Sequence, residues 1–179
     1  METLQIERND GVVTVTLNRP AKKNALNGTM WKELHATFSE ISRSDDDRVV
    51  VVTGAAGEFC SGADLSPGGA SRHQLAAMRE VGDVALLLHR LPQPTIAKVR
   101  GVAVGAGCNL ALGCDLVVAA ENAVFTLSYV KIGVSPDGGG SWFLARALPR
   151  QLAAELALTA RPVDTRTLDR KSTRLNSSH

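Results

Sequence analysis

No run of apolar residues in this 179-residue chain reaches the ~18 that a membrane-spanning helix needs. The first residues lack a basic stretch followed by an apolar one, so no signal peptide is expected. Cysteine is scarce and odd in number. Cys60, Cys108 and Cys114 form no C-x-x-C and have no His pair nearby, so disulfide and metal readings are weak and a reducing cytosol is expected. Aromatics are only 4% of the chain, while the apolar fraction of 44% suits a soluble globular protein with a single core. Charges of the two signs nearly balance. The net charge is +2, and the last eleven residues supply all of it, with Arg170, Lys171 and Arg174 against Asp169. Nothing in the body of the chain looks like a nucleic-acid surface. Two catalytic signatures are missing as well. No G-x-S-x-G occurs, which argues against a serine hydrolase. Gly105-Ala106-Gly107 follows a strand pattern, but Leu110 stands at the third glycine position of G-x-G-x-x-G, so the dinucleotide fingerprint fails.

What is present is an alternation of strand and helix patterns. Leu4 to Arg8 and Val12 to Leu17 read as strands joined by a hairpin turn at Asn9-Asp10-Gly11. Trp31, Leu34, Phe38 and Ile41 fall at helical spacing. Asp45-Asp46-Asp47 reads as a solvated loop, and Val49 to Thr53 as a strand buried on both faces. Leu75, Met78, Ala85 and Leu88 mark one side of a second long helix, which Pro92 and Pro94 end. Thr95 to Val99 reads as a strand, Gly107 to Leu112 as a short buried helix ending at Gly113, and Leu116 to Ala119 as another strand. Ser141 to Ala147 and Gln151 to Thr159 read as helices. This alternation points to an α/β fold built of βαβ units.

Two turns stand out. Phe59-Cys60-Ser61-Gly62-Ala63-Asp64-Leu65 and Gly101 to Leu110 are each dense in Gly and Ala, and each leaves a β-rich run to enter a helical pattern. Such turns let backbone N–H groups approach a ligand without an intervening side chain. Two of them facing one pocket could hold an oxygen anion between two N–H groups, as in an oxyanion hole.

These turns resemble those of the enoyl-CoA hydratase/isomerase (crotonase) family. The resemblance runs from about Leu4 to about Leu168. It includes Leu17-Asn18-Arg19-Pro20 with Asn24-Ala25-Leu26, the two turns, Cys114-Asp115, and Ile132-Gly133-Val134-Ser135-Pro136-Asp137-Gly138-Gly139-Gly140, all in the family's order. It implies a spiral of ββα units, an acyl-CoA thioester as substrate, no cofactor beyond the CoA of that substrate, and a homotrimer or hexamer for the full-length protein. It implies that Ala63 and Ala106 supply the oxyanion N–H groups, although glycine is usual at the second position. It also implies that Ala25, Ser61, Gly62, Asp64 and Leu65 line the substrate. The segment from Ser61 to Ser66, with Ala25, would meet the adenine or pantetheine through backbone atoms. Arg19, Lys22 or Lys23 would meet the CoA phosphates, unless they are simply solvated surface charges. His73 would face the acyl pocket or stand exposed at a helix start.

The acid and base positions separate the family's reactions. Its hydratases use two glutamates, at the places this chain fills with Asn109 and Tyr129. An amide has no proton to exchange near neutral pH, and a phenol with pKa about 10 is a poor base. Both substrate-lining positions therefore lack a hydratase carboxylate. Asp137 remains, and the pattern around it resembles the isomerase branches, the Δ3,Δ2-enoyl-CoA isomerases and the ring-opening epoxide isomerases. There one carboxylate moves a proton between carbons. Taken without the resemblance, Asp137 reads as a helix cap or turn residue rather than a catalytic one. The expected function is enoyl-CoA double-bond or ring-epoxide isomerisation. Hydration, thioester hydrolysis, decarboxylation, dehalogenation and non-catalytic CoA binding are the alternatives.

The end of the chain breaks the pattern. Residues 1–168 read as the core domain, incomplete at its C-terminus, whose covering helices are truncated. Residues 169–179 read as a non-family tail with no apolar period. It resembles translated adaptor sequence; a genuine disordered tail is the alternative.

Overall fold

The computed structural model describes residues 1–66 and 74–172. The element order is β1 (Leu4–Asn9), β2 (Val12–Leu17), α1 (Gly28–Ile41), β3 (Val49–Gly54), α2 (Gln74–His89), β4 (Thr95–Val99), β5 (Val102–Val104), α3 (Ala106–Leu112), β6 (Leu116–Ala119), β7 (Val124–Thr126), α4 (Gly140–Ala147), α5 (Arg150–Thr159), β8 (Val163–Asp164) and α6 (Thr165–Ser172). A five-stranded sheet runs β1-β2-β3-β4-β6, and a three-stranded sheet runs β5-β7-β8. β1 and β2 pair antiparallel, as expected of a hairpin whose turn residues Asp10 and Gly11 both have positive φ. β2, β3, β4 and β6 are parallel. The succession is a ββα spiral. β4-β5-α3 and β6-β7-α4 each send their first strand to the large sheet and their second to the small one.

Alternation builds the core. Val13, Val15 and Leu17 of β2, Val50 and Val52 of β3, and Ala97 and Val99 of β4 are buried in one cluster with Leu34, Phe38 and Ile41 of α1 and Val84 and Leu88 of α2. Asn27 caps α1, its side-chain oxygen accepting from the Met30 N–H at 2.9 Å. Asp115 clips the start of β6 to β4. Its Oδ2 accepts from the Thr95 N–H and hydroxyl at 2.8 Å each.

Three local expectations are corrected. β3 alternates between buried and half-buried positions, so only one of its faces is fully covered. On α2, Leu75 and Met78 are exposed while Val81, Val84 and Leu88 are buried. Helical spacing identifies a face, and here the core reaches only the C-terminal half of it. Asp45 and Asp46 are exposed, but Asp47 is buried, and Arg8 Nε reaches its Oδ1 at 3.2 Å. The three short strands of the second sheet, β5, β7 and β8, carry no strand pattern strong enough to read from the sequence. Helix α6, from Thr165 to Ser172, crosses the 168/169 boundary.

β6 is an edge strand of the large sheet, and its Leu116, Val117 and Val118 are 59%, 41% and 59% exposed. An apolar edge strand recruits other strands unless it is charged or covered. The 179-residue chain is expected to self-associate in light scattering, and Val118→Lys to reduce that association. A monodisperse monomer before any substitution would contradict this.

Candidate active site

The chain leaving β3 runs beside β5. The Phe59 N–H donates to the Arg100 carbonyl at 2.8 Å and the Cys60 N–H to that of Val102 at 2.9 Å. At Gly62, with φ +97°, the backbone closes on the next turn. A Cβ there would lie 2.8 Å from the Val104 oxygen and 3.9 Å from the Ala106 nitrogen. Leu26 holds the other side of this loop. Its N–H donates to the Gly62 carbonyl at 2.8 Å, and its carbonyl accepts from the Asp64 N–H at 2.9 Å. Between those two bonds, the Ala63 N–H meets no acceptor among the described residues.

Ala106 is the first residue of α3, so its N–H has no partner within the helix. It meets no other acceptor among the described residues. Gly105 takes the unusual step, with φ 51° and ψ −118°, and Ala106 is not among the residues of positive φ. Alanine at 106 therefore carries no backbone strain. Two unpaired N–H groups, at Ala63 and Ala106, thus flank the Gly62 contact.

The residues at the acid and base positions lie together. Asn109 is 2% exposed on α3, and Tyr129 is 7% exposed on a 3₁₀ turn after β7. Asp137, half-buried, precedes α4. Asn109 Nδ2 donates to the Tyr129 hydroxyl at 2.6 Å and to the Asp137 carbonyl at 2.9 Å. The Tyr129 hydroxyl donates to Asp137 Oδ1 at 2.7 Å. Burial first, then the charge of Asp137 and the hydrogen bond to it, push the Tyr129 pKa well above the usual phenol value. Asp137 caps no helix with its side chain. The N-cap of α4 is Gly139, and no backbone N–H among the described residues bonds the Asp137 carboxylate.

A cavity of about 10 Å³ adjoins this cluster, lined by Ala106, Asn109, Gly138, Trp31, Val81 and Phe143 among others. Its walls are apolar apart from Asn109, whose Oδ1 is buried with no partner. A second cavity of about 500 Å³ opens along the opposite face of α3, beside Cys108 and Leu112, and none of Ala63, Ala106, Asn109 or Asp137 lines it. Burial pushes the thiols of Cys60, Cys108 and Cys114 up to about 12, which leaves them inert as nucleophiles.

The remaining sequence candidates are dispersed among structural tasks. Asp64 fixes its turn. Its Oδ1 accepts from the Ser66 N–H at 3.0 Å and its Oδ2 from Arg19 at 2.8 Å; hydrogen bonding from the Ser66 side chain first, then from Arg19 and the Ser66 N–H, holds the carboxyl well below its ordinary range. Arg19 also donates to the Ala25 carbonyl at 2.6 Å. The Ser61 hydroxyl donates to the Lys22 carbonyl at 3.0 Å, and Lys23 pairs with Glu58 at 3.0 Å. Leu65 is 72% exposed. His73 lies outside the described residues. Glu58 escaped the sequence reading, yet its Oε2 accepts from the Val102 N–H at 2.8 Å and so ties the first turn to the second. Val81 and Phe143, walls of the small cavity, were legible only as apolar helix positions.

The profile of enoyl-CoA hydratase/isomerase matches residues 7–171. The chain belongs to the enoyl-CoA hydratase/isomerase family. It is 39% identical over 164 residues to the 1,2-epoxyphenylacetyl-CoA isomerase of Escherichia coli K12, covering 88% of this chain and 63% of that protein. It is 39% identical over 163 residues to a probable enoyl-CoA hydratase of Rhodobacter capsulatus, covering 90% of this chain and 63% of that one. Among solved structures, an enoyl-CoA hydratase from Polaromonas sp. JS666 superposes with a TM-score of 0.86 at 36% identity, over 93% of this chain and 67% of that chain. One from Bacillus anthracis gives 0.89 at 31% identity, over 95% of this chain and 67% of that chain. The fold is therefore the crotonase fold. The chain spans 63% of the length of these two curated relatives. Among the described residues, no helix is long and apolar enough to cross a membrane.

Proposed function

We propose that this protein binds an acyl-CoA thioester, stabilises its enolate, and isomerises the double bond of an enoyl-CoA or the ring epoxide of an aromatic acyl-CoA. The thioester oxygen lies between the Ala63 and Ala106 N–H groups, where negative charge develops as the α-proton leaves. Asp137 takes that proton and returns it two carbons along. No cofactor takes part beyond the CoA of the substrate, and the full-length protein assembles in threes or sixes.

One observation carries this reading: among the described residues, Asp137 is the only carboxylate in the cluster with Asn109 and Tyr129, and neither neighbour exchanges a proton near neutral pH. Hydration needs one group to activate water and another to protonate the α-carbon, whereas a shuttle between carbons needs one base, an oxyanion hole and little water.

In deuterated water the protein is expected to wash deuterium into the α-carbon of an acyl-CoA while hydrating crotonyl-CoA poorly. Neither exchange nor isomerisation of a 3-enoyl-CoA would mean a CoA-binding protein without chemistry. Hydration at about 10 per second or faster, a typical enzyme turnover, would make it a hydratase instead.

A further inference from the structure

The hydrogen bonds around Asp137 run in one direction. The Asn109 amide nitrogen can only donate, so the Tyr129 hydroxyl, having accepted from it at 2.6 Å, has its single hydrogen left for Asp137 Oδ1 at 2.7 Å. The second Asn109 hydrogen goes to the Asp137 carbonyl at 2.9 Å, which also accepts from the Gly140 N–H at 2.8 Å. Residue 137 is thus held at its main chain and at one carboxylate oxygen. Oδ2 accepts from nothing among the described residues. The two oxygens are not equivalent: one is tethered and one is available. A Cβ on Gly140 would come within 2.6 Å of both polar atoms of the Asn109 side chain, so the amide packs directly against the Gly140 backbone, a contact that only glycine allows.

We propose that Tyr129 is a positioning residue that makes Asp137 a one-oxygen proton shuttle, with Oδ1 tethered and Oδ2 alone taking and returning the proton. This inference rests on the isomerase reading above. The C–H bond at the α-carbon breaks, its electron pair enters the thioester dienolate, and an Oδ2–H bond forms. That bond then breaks as the proton joins the carbon two positions along. A carboxyl group that cannot turn keeps its proton against the dienolate. The proton removed is then largely the proton delivered. Without the tether the group rotates about Cβ–Cγ and can present its proton to solvent.

The test follows a 3-enoyl-CoA carrying deuterium at the α-carbon, converted in ordinary water, and measures the deuterium in the product. The unsubstituted protein should deliver a substantial share of it. Tyr129→Phe keeps the ring and removes the hydroxyl. Label transfer should fall about threefold or more as orientation is lost, and kcat about tenfold, with KM unchanged. If the Phe variant proves unstable, Asn109→Ala loosens the phenol without altering it and should move label transfer the same way. Equal transfer with and without the hydroxyl overturns the proposal, since a packing role alone does not change where a proton goes. So does the absence of transfer in the unsubstituted protein. If that protein neither isomerises the substrate nor exchanges α-protons, the isomerase reading itself fails, and this inference with it.

Discussion

Asp137→Asn is expected to lower isomerisation by about 10²- to 10⁴-fold, the usual worth of a general base. The substitution keeps size and shape. The new side-chain oxygen can still accept from the Tyr129 hydroxyl, and the main-chain bonds from Asn109 Nδ2 and the Gly140 N–H are untouched. Thermal stability and affinity for an acyl-CoA should therefore survive while turnover does not. The measurement is a steady-state comparison on a 3-enoyl-CoA or a ring-epoxide thioester, with the melting temperature as a control. A variant that keeps most of its rate would show that Asp137 only orders its turn and that another group moves the proton.

Gly62→Ala should lower turnover by about 10²- to 10³-fold, the loss seen when one oxyanion donor is misplaced. The argument is steric. Gly62 has φ +97°, where side chains are strained, and its added Cβ would sit 2.8 Å from the Val104 oxygen. The Gly62–Ala63 peptide must then withdraw from the turn that leads into Ala106. Donors set for one oxygen would no longer share it. Like Asp137→Asn, this change should also suppress deuterium exchange with any acyl-CoA, because enolate formation itself is impaired. It should also lower the melting temperature, since strain at positive φ is added to the contact. Normal exchange in a folded variant would show that the Ala63 N–H does not serve the anion.

Much of the fold was legible because its signals are local. The hairpin at Asn9 to Gly11, the α1 stripe of Leu34, Phe38 and Ile41, and the parallel strands β3 and β4 announce themselves through turn chemistry and periodicity. β5, β7 and β8 do not, because strands of two or three residues hold through partners far along the chain. The same limit explains Asp47, which sequence placed in solvent with its two acidic neighbours. Asp47 is in the loop before β3, and its partner Arg8 lies far back along the chain on β1.

The candidate site divides along the same line. Sequence alone determined which residue types are present: two Gly- and Ala-rich turns, an amide and a phenol where hydratases carry carboxylates, and one remaining aspartate. Those are properties of positions and need no coordinates. Whether Asp137 was a cap or a member of a buried cluster was a question about direction, and only the tertiary structure answered it. Tyr129 and Asp137 are both near the turn at Gly133, yet Asn109 comes from a helix 28 residues before Asp137. Hydrogen bonds reach about 3 Å whatever the separation in sequence. The folding of β7 and its following turn against α3 therefore aims the phenol at one carboxylate oxygen and leaves the other without a partner among the described residues.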